Sequence, residues 1–157
     1  MKDRMVRIKA KPEPITVDLA RTAVIVVDMQ NDFGSKGGMF ERAGIDISCI
    51  QAVVAPIARV LAAAREVGLK IIYIKMQHRP DLSDAGAEDS PHFIKHLRMR
   101  VGERVTAPDG HESRILIQDT WNTDILSELA PQPGDIIVPK HRYSAFYETD
   151  LDVILKS

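Results

Sequence analysis

The chain holds a single cysteine, Cys49, in 157 residues. That excludes an internal disulfide framework and a cysteine-rich zinc site, and makes a reducing cytoplasm the expected setting. An excess of charge of either sign is also missing. The net charge is -1, so composition offers no electrostatic case for nucleic acid or an anionic membrane as partner. No apolar stretch in the sequence approaches the ~18 uncharged residues expected of a bilayer span. The basic start, Met1 to Pro12, lacks the apolar core of a secretory signal. There is no internal repeat, no low-complexity tract, and no G-x-S-x-G elbow, P-loop or G-x-G-x-x-G motif.

What is present is ordinary for a globular domain: 45% apolar and 27% charged residues. A chain this long can bury one real core. Residues 1–14 read as a solvated arm, and 15–157 as one domain. The continuous apolar run 22–28 suits a parallel strand covered on both faces. Residues 29–46 read as a loop with four glycines. Asp46 or Ser48 is expected to cap a helix whose apolar positions, from Ile50 to Ala64, recur at helical spacing until Gly68 ends it. Strands are expected again at 69–74 and 135–138. Short helices are expected at 91–101, from Asn122 or Thr123 to Leu129, and from Asp150 to Lys156 behind Thr149. Residues 76–90 are polar and predict a loop over the sheet edge, while 106–120 give no clear pattern. The three strands suit a doubly wound sheet in which 22–28 presents a bare edge.

Two strand ends carry chemistry. Asp28 closes the first strand, where α/β folds place ligands, and reads as a general base or as a loop-capping aspartate. Lys140 closes the last and reads as a cation facing that acid or as a surface lysine. Asp32 lies deeper in the loop and is expected to shape it. His92 and His96 are i,i+4 neighbours, a spacing able to bind zinc, but the intervening sequence lacks the zincin glutamate, and no metal is expected. Cys49 is expected to be a small packing residue.

The segments Ala23–Asp32 (AVIVVDMQND), Pro133–Lys140 (PGDIIVPK) and Tyr143–Phe146 (YSAF) resemble the isochorismatase-like cysteine hydrolases. Gly37-Gly38, Ala43–Asp46, Ser90-Pro91 and Lys140–Ser144 are similar to ureidoacrylate amidohydrolases and to biuret and triuret hydrolases. The resemblance implies a three-layer αβα, doubly wound, Rossmann-like parallel sheet, of which this chain supplies the first three strands. It also implies an Asp-Lys-Cys triad in which Asp28 is the base and Lys140 its cationic partner. The family's nucleophilic cysteine follows a fourth strand and has no counterpart up to Ser157, so the chain resembles the first two-thirds of such an enzyme. The implied reaction is hydrolysis of a C–N bond in a small linear ureide. Phe33, Gln77, His78, His92 and Tyr143 are the expected substrate contacts. No cofactor is implied, and a homo-oligomer is expected. Nicotinamidases of the superfamily carry an Asp-x-His metal motif where this chain has Met76-Gln77-His78, which again implies no metal. Two alternatives remain open: a vinyl-ether hydrolase working with the acid alone, and an inactive half-domain that binds.

Overall fold

In chain order, residues 4–157, which the computed structural model describes, form β1 (Met5–Ile8), β2 (Ile15–Asp18), β3 (Ala23–Val27), α1 (Asn31–Gly34) and α2 (Met39–Arg42). They continue with α3 (Ser48–Glu66), β4 (Lys70–Met76), α4 (Pro91–Arg98), β5 (Arg104–Thr106), β6 (Glu112–Arg114), β7 (Ile136–Lys140) and α5 (Leu151–Lys156). The main sheet is parallel, in the order β3-β4-β7. Its central strand is apolar without alternation because it is covered twice. Successive side chains of a strand point to opposite faces. Ile71 and Tyr73 accordingly pack with Leu61 and Ala64 of α3. Ile72 and Ile74 pack with Val138 and with Leu151 of α5. All four β4 side chains are essentially inaccessible. This is the three-layer α/β arrangement expected from the sequence.

The long helix α3 begins and ends as its sequence dictates. Asp46 accepts bonds from the Ser48 N–H and hydroxyl. At the other end Gly68 takes φ +67°, a left-handed conformation that costs glycine little. The Gly68 N–H then bonds Arg65 O and the Leu69 N–H bonds Ala64 O, a Schellman closure. Among the apolar positions of α3, Val53 and Val60 stay exposed. Cys49 is exposed as well, so it does not pack as expected: it sits in the first turn of α3. By length and composition alone, α3 is also apolar enough to cross a membrane, although it contains Arg59 and Arg65. In the fold, Leu61 and Ala64 on one side of α3 are buried against the sheet.

Other differences have local causes. The expected helix 122–129 is two single 3-10 turns, Trp121–Thr123 and Ser127–Leu129. Between them the chain runs alongside the loop after β3: Asn31 N–H donates to Asp124 O and Leu126 N–H to Met29 O. Those tertiary bonds compete successfully with a weak helix propensity. The loop 29–46 holds the short helices α1 and α2, and the region 106–120 contributes an antiparallel β5–β6 hairpin. On β3, Ile25 and Val27 are exposed rather than covered, because the strand lies at one end of the sheet order. The expected arm folds back as an exposed β1–β2 ribbon in register Met5↔Asp18 to Ile8↔Ile15, and its residues 1–3 lie outside the described residues.

Candidate active site

The strands β3 and β7 flank β4 and end at the same edge of the sheet. Parallel register places Val27 opposite Ile74 and Lys140 opposite Met76. Asp28 is the first residue past β3, and its N–H still bonds Ile74 O at 2.8 Å. Its φ of +57° is uncommon for a residue with a Cβ, and such conformations cluster at functional sites. Above the end of β4, the Lys140 Nζ donates to Asp28 Oδ2 at 2.9 Å and to Tyr143 O at 3.2 Å. Lys140 is buried, at 5% side-chain exposure, and Asp28 is about one-third exposed. Burial pushes the Asp28 carboxyl above its ordinary range, opposed by the hydrogen bond and charge of Lys140. The Asp28 Oδ1 atom is buried with no hydrogen-bond partner among the described residues.

These two charges open onto a cleft of about 340 Å³ whose walls include Phe33, Met39, Phe40, Met76, Lys95, His96, Leu116 and Tyr143. Phe33 and Phe40 pack with their ring centroids 4.8 Å apart and their planes tilted by 45°. Lys95 donates to the Tyr143 hydroxyl at 2.6 Å and lies over that ring.

The loop bearing Phe33 is pinned from beneath by buried polar groups. Gln30 clamps β4: its Nε2 donates to Met76 O at 2.8 Å and its Oε1 accepts from Met76 N–H at 2.7 Å. Asp32 is completely buried and accepts from the Met39 N–H, the Leu116 N–H and the Asn122 side-chain amide. Burial pushes its pKa up to about 6, against the pull of those three donors. Asp32 thus shapes the loop, as the sequence suggested. Asn122 in turn accepts from the Ser113 hydroxyl; the sequence offers it only as a helix cap, because its partner Asp32 lies 90 residues away.

Three histidines form a second cluster. Ser90 caps α4 by accepting from Phe93 N–H, with Pro91 in the first turn. The helix then carries His92 and His96 on one face. Their ring centroids are 4.0 Å apart, and His78, just after β4, lies 5.0 Å from His96 and 6.0 Å from His92. Burial lowers the pKa of all three, that of His96 to about 3, so they are neutral at pH 7.

The expected site residues therefore separate. Asp28, Lys140, Phe33 and Tyr143 meet in the cleft. His78 and His92 meet behind it, with the His92 ring 5.6 Å from that of Tyr143. The Gln77 N–H bonds Lys140 O, and its side chain does not line the cleft. His96 and Lys95, which do line it, were missed as contacts. The i,i+4 histidine spacing and their place on an amphipathic α4 were the available signals.

A parallel α/β sheet with an acid and an amine paired at the carboxyl ends of its strands defines a ligand-binding class of fold. More particularly, residues 22–157 match the isochorismatase domain, and the chain belongs to that family. It is 40% identical over 152 residues to the ureidoacrylate amidohydrolase RutB of Methylorubrum extorquens, covering 97% of this chain and 60% of that protein. The RutB of Agrobacterium fabrum is 40% identical over 150 residues, with 96% and 64% covered. The chain thus spans under two-thirds of the length of these relatives. Among solved structures, a cysteine hydrolase from Pseudomonas syringae pv. phaseolicola superposes with a TM-score of 0.68 at 30% identity, covering 99% of this chain and 60% of that one. The N-carbamoylsarcosine amidase of Thermoplasma acidophilum gives 0.53 at 26% identity, with 85% and 60% covered.

Proposed function

We propose that this cleft belongs to a cysteine amidohydrolase acting on a small linear ureide of the ureidoacrylate, biuret or triuret type. The observation that carries the reading is the pair of buried Lys140 and half-buried Asp28 at 2.9 Å, opening onto an otherwise largely apolar cleft. A carboxylate raised by burial is a better proton acceptor, and the adjacent ammonium keeps it charged enough to act. Asp28 takes the proton of a cysteine thiol, and Lys140 stabilises the negative charge that results. The thiolate attacks the ureido carbon, and backbone N–H groups hold the tetrahedral oxyanion. Ammonia leaves with the proton from Asp28, and water cleaves the carbamoyl thioester. Cys49 is exposed on α3 and does not line the cleft, so the thiol comes from outside residues 1–157. The names of the relatives support a ureido or N-carbamoyl substrate, since both describe an amine carrying a terminal –CO–NH₂.

The test is ammonia release from ureidoacrylate, biuret and triuret by the protein as isolated, with its intact mass measured under denaturing conditions. Activity is expected to survive Cys49→Ser and to be abolished by iodoacetamide in that variant. Activity insensitive to alkylation in Cys49→Ser would refute the thiol mechanism. A species of only 17.5 kDa that is fully active would refute an external nucleophile.

A further inference from the structure

We propose that His78, His92 and His96 form a three-histidine site for a divalent transition-metal ion of the zinc, cobalt or nickel type, set in the wall of the cleft. Each histidine offers one ring nitrogen, and the three lie within 4.8 Å of one another. His78 Nε2, His92 Nε2 and His96 Nδ1 are all buried and lack any hydrogen-bond partner among the described residues. A buried polar atom left unpaired is costly, and three side by side are rare in a folded protein. One cation accepting all three lone pairs removes the whole deficit. Three nitrogens at most 4.8 Å apart lie no more than about 2.8 Å from their common centre, against about 2.0–2.1 Å for a zinc–imidazole bond. Side-chain closure of about 0.7 Å per ring, well within rotamer adjustment, completes the site.

The Arg142 and Lys95 cations also face this cluster, but the surroundings of His78 have the outer shell of a metal ligand. His78 keeps its other nitrogen on Asp84: Nδ1 to Oδ1 is 3.1 Å. This is the carboxylate–histidine arrangement that orients metal ligands and raises their basicity. Asp84 is itself held, accepting from the Arg79 N–H and receiving Arg142 on its backbone carbonyl. His92 and His96 are rigidly spaced by a capped helix. Three imidazoles leave a fourth tetrahedral position open, the pattern of catalytic rather than structural zinc. Because His96 also lines the cleft with Asp28 and Lys140, a carbonyl or carboxylate oxygen of a bound molecule is the kind of ligand that could take that position. The inference does not depend on the proposed reaction, since metal binding is read directly.

Chelator-stripped protein titrated with Co²⁺ is expected to develop the intense visible bands of a tetrahedral nitrogen site, saturating at one equivalent and bleached by one equivalent of Zn²⁺. His92→Ala and His96→Ala are each expected to weaken Co²⁺ binding by at least ~100-fold, and Asp84→Ala by roughly 10–100-fold as an outer-shell partner. His111→Ala, at an exposed position paired only with Asp109, should leave binding unchanged. Folding of the variants is checked by circular dichroism. If one does not fold, the wild-type readout stands: Zn²⁺ should raise its urea midpoint and protect the three histidines from carbethoxylation. Absence of Co²⁺ bands in folded wild-type protein, or bands that persist in folded His92→Ala and His96→Ala, would overturn the site.

Discussion

Replacing Asp32 tests the polar foundation of the cleft. Its two oxygens take three donors: Oδ1 serves Met39 N–H and the Asn122 amide, and Oδ2 serves Leu116 N–H. Asp32→Asn can keep the two bonds at Oδ1. Its new NH₂ then faces the Leu116 N–H, donor against donor, and an unsatisfied buried donor costs about 1–3 kcal/mol. Asp32→Ala orphans all three donors, a gross loss of about 3–9 kcal/mol on the same scale. Against this stands the burial of a charge. A pKa of about 6 in the folded protein against 3.8 unfolded means that ionising Asp32 costs roughly 3 kcal/mol of stability at pH 7. Since the folded state binds the extra proton between those two values, the Asp32 contribution is most favourable below about pH 4 and is lost as pH rises through about 6. At pH 7 the two terms nearly cancel for Asp32→Asn, and Asp32→Ala should lose a few kcal/mol. The assay is urea unfolding followed by the single tryptophan, Trp121, which neighbours Asn122. Taken as a difference between wild type and Asp32→Asn from pH 4 to 7, other titrating groups cancel. Wild type should gain roughly 2.4 kcal/mol over the variant on acidification from pH 7 to pH 4. A flat difference across that range would falsify the account of Asp32 as a buried carboxylate.

Two further outcomes follow from the same geometry. Lys140→Ala removes the cation that holds the Asp28 carboxyl down; the acid limb of the kcat/KM profile should move to higher pH, and kcat/KM should fall about 10²–10³-fold. An unshifted limb would detach Asp28 from Lys140. Gly38→Ala places a Cβ 2.2 Å from Asn31 O and 2.9 Å from Asp32 Cα, both backbone atoms, so it should cost at least about 1–3 kcal/mol in the urea midpoint. The control is Gly44→Ala: its φ of +76° strains an alanine, but the Cβ meets nothing within 4 Å, and the loss should stay near 1 kcal/mol. Equal losses at the two positions would contradict a steric origin at Gly38.

The legible parts of this chain are those in which local pattern and burial agree. The run Ile71–Ile74 is apolar at every position because α3 and α5 cover it from opposite sides, and the sequence says as much. Asp46, Gly68 and Thr149 signal element ends because each acts on a backbone group within a few residues. The segment 122–129 misled because its conformation is decided by the backbone of residues 29–31, reached only after folding. The histidine trio was half legible: the His92–His96 spacing shows on the helix, but His78 joins them only because α4 packs beside the end of β4.

The same distinction explains the site. Asp28 and Lys140 are 112 residues apart, and nothing local ties them. What joins them is a rule of the parallel sheet, that every strand delivers its carboxyl end to the same edge. Strands separated by one neighbour stand about 10 Å apart, too far for two short side chains and within reach of a lysine stem and an aspartate leaning over Met76. Asp28 holds a left-handed backbone there, and Lys140 is held by Tyr143 O as well as by the acid. A lysine is needed there for its length as much as its charge. Arginine is always charged but ends in a broad planar fork, and Lys140 is buried with acceptors on Asp28 and Tyr143 O already in place. Lys140→Arg should therefore behave as a packing defect with a cation retained. It should lose stability and activity together, whereas Lys140→Ala shifts the Asp28 titration. Comparing the two variants by urea midpoint and pH–rate profile separates charge from fit at this pair, and identical profiles would show that charge alone does not set the behaviour of Asp28.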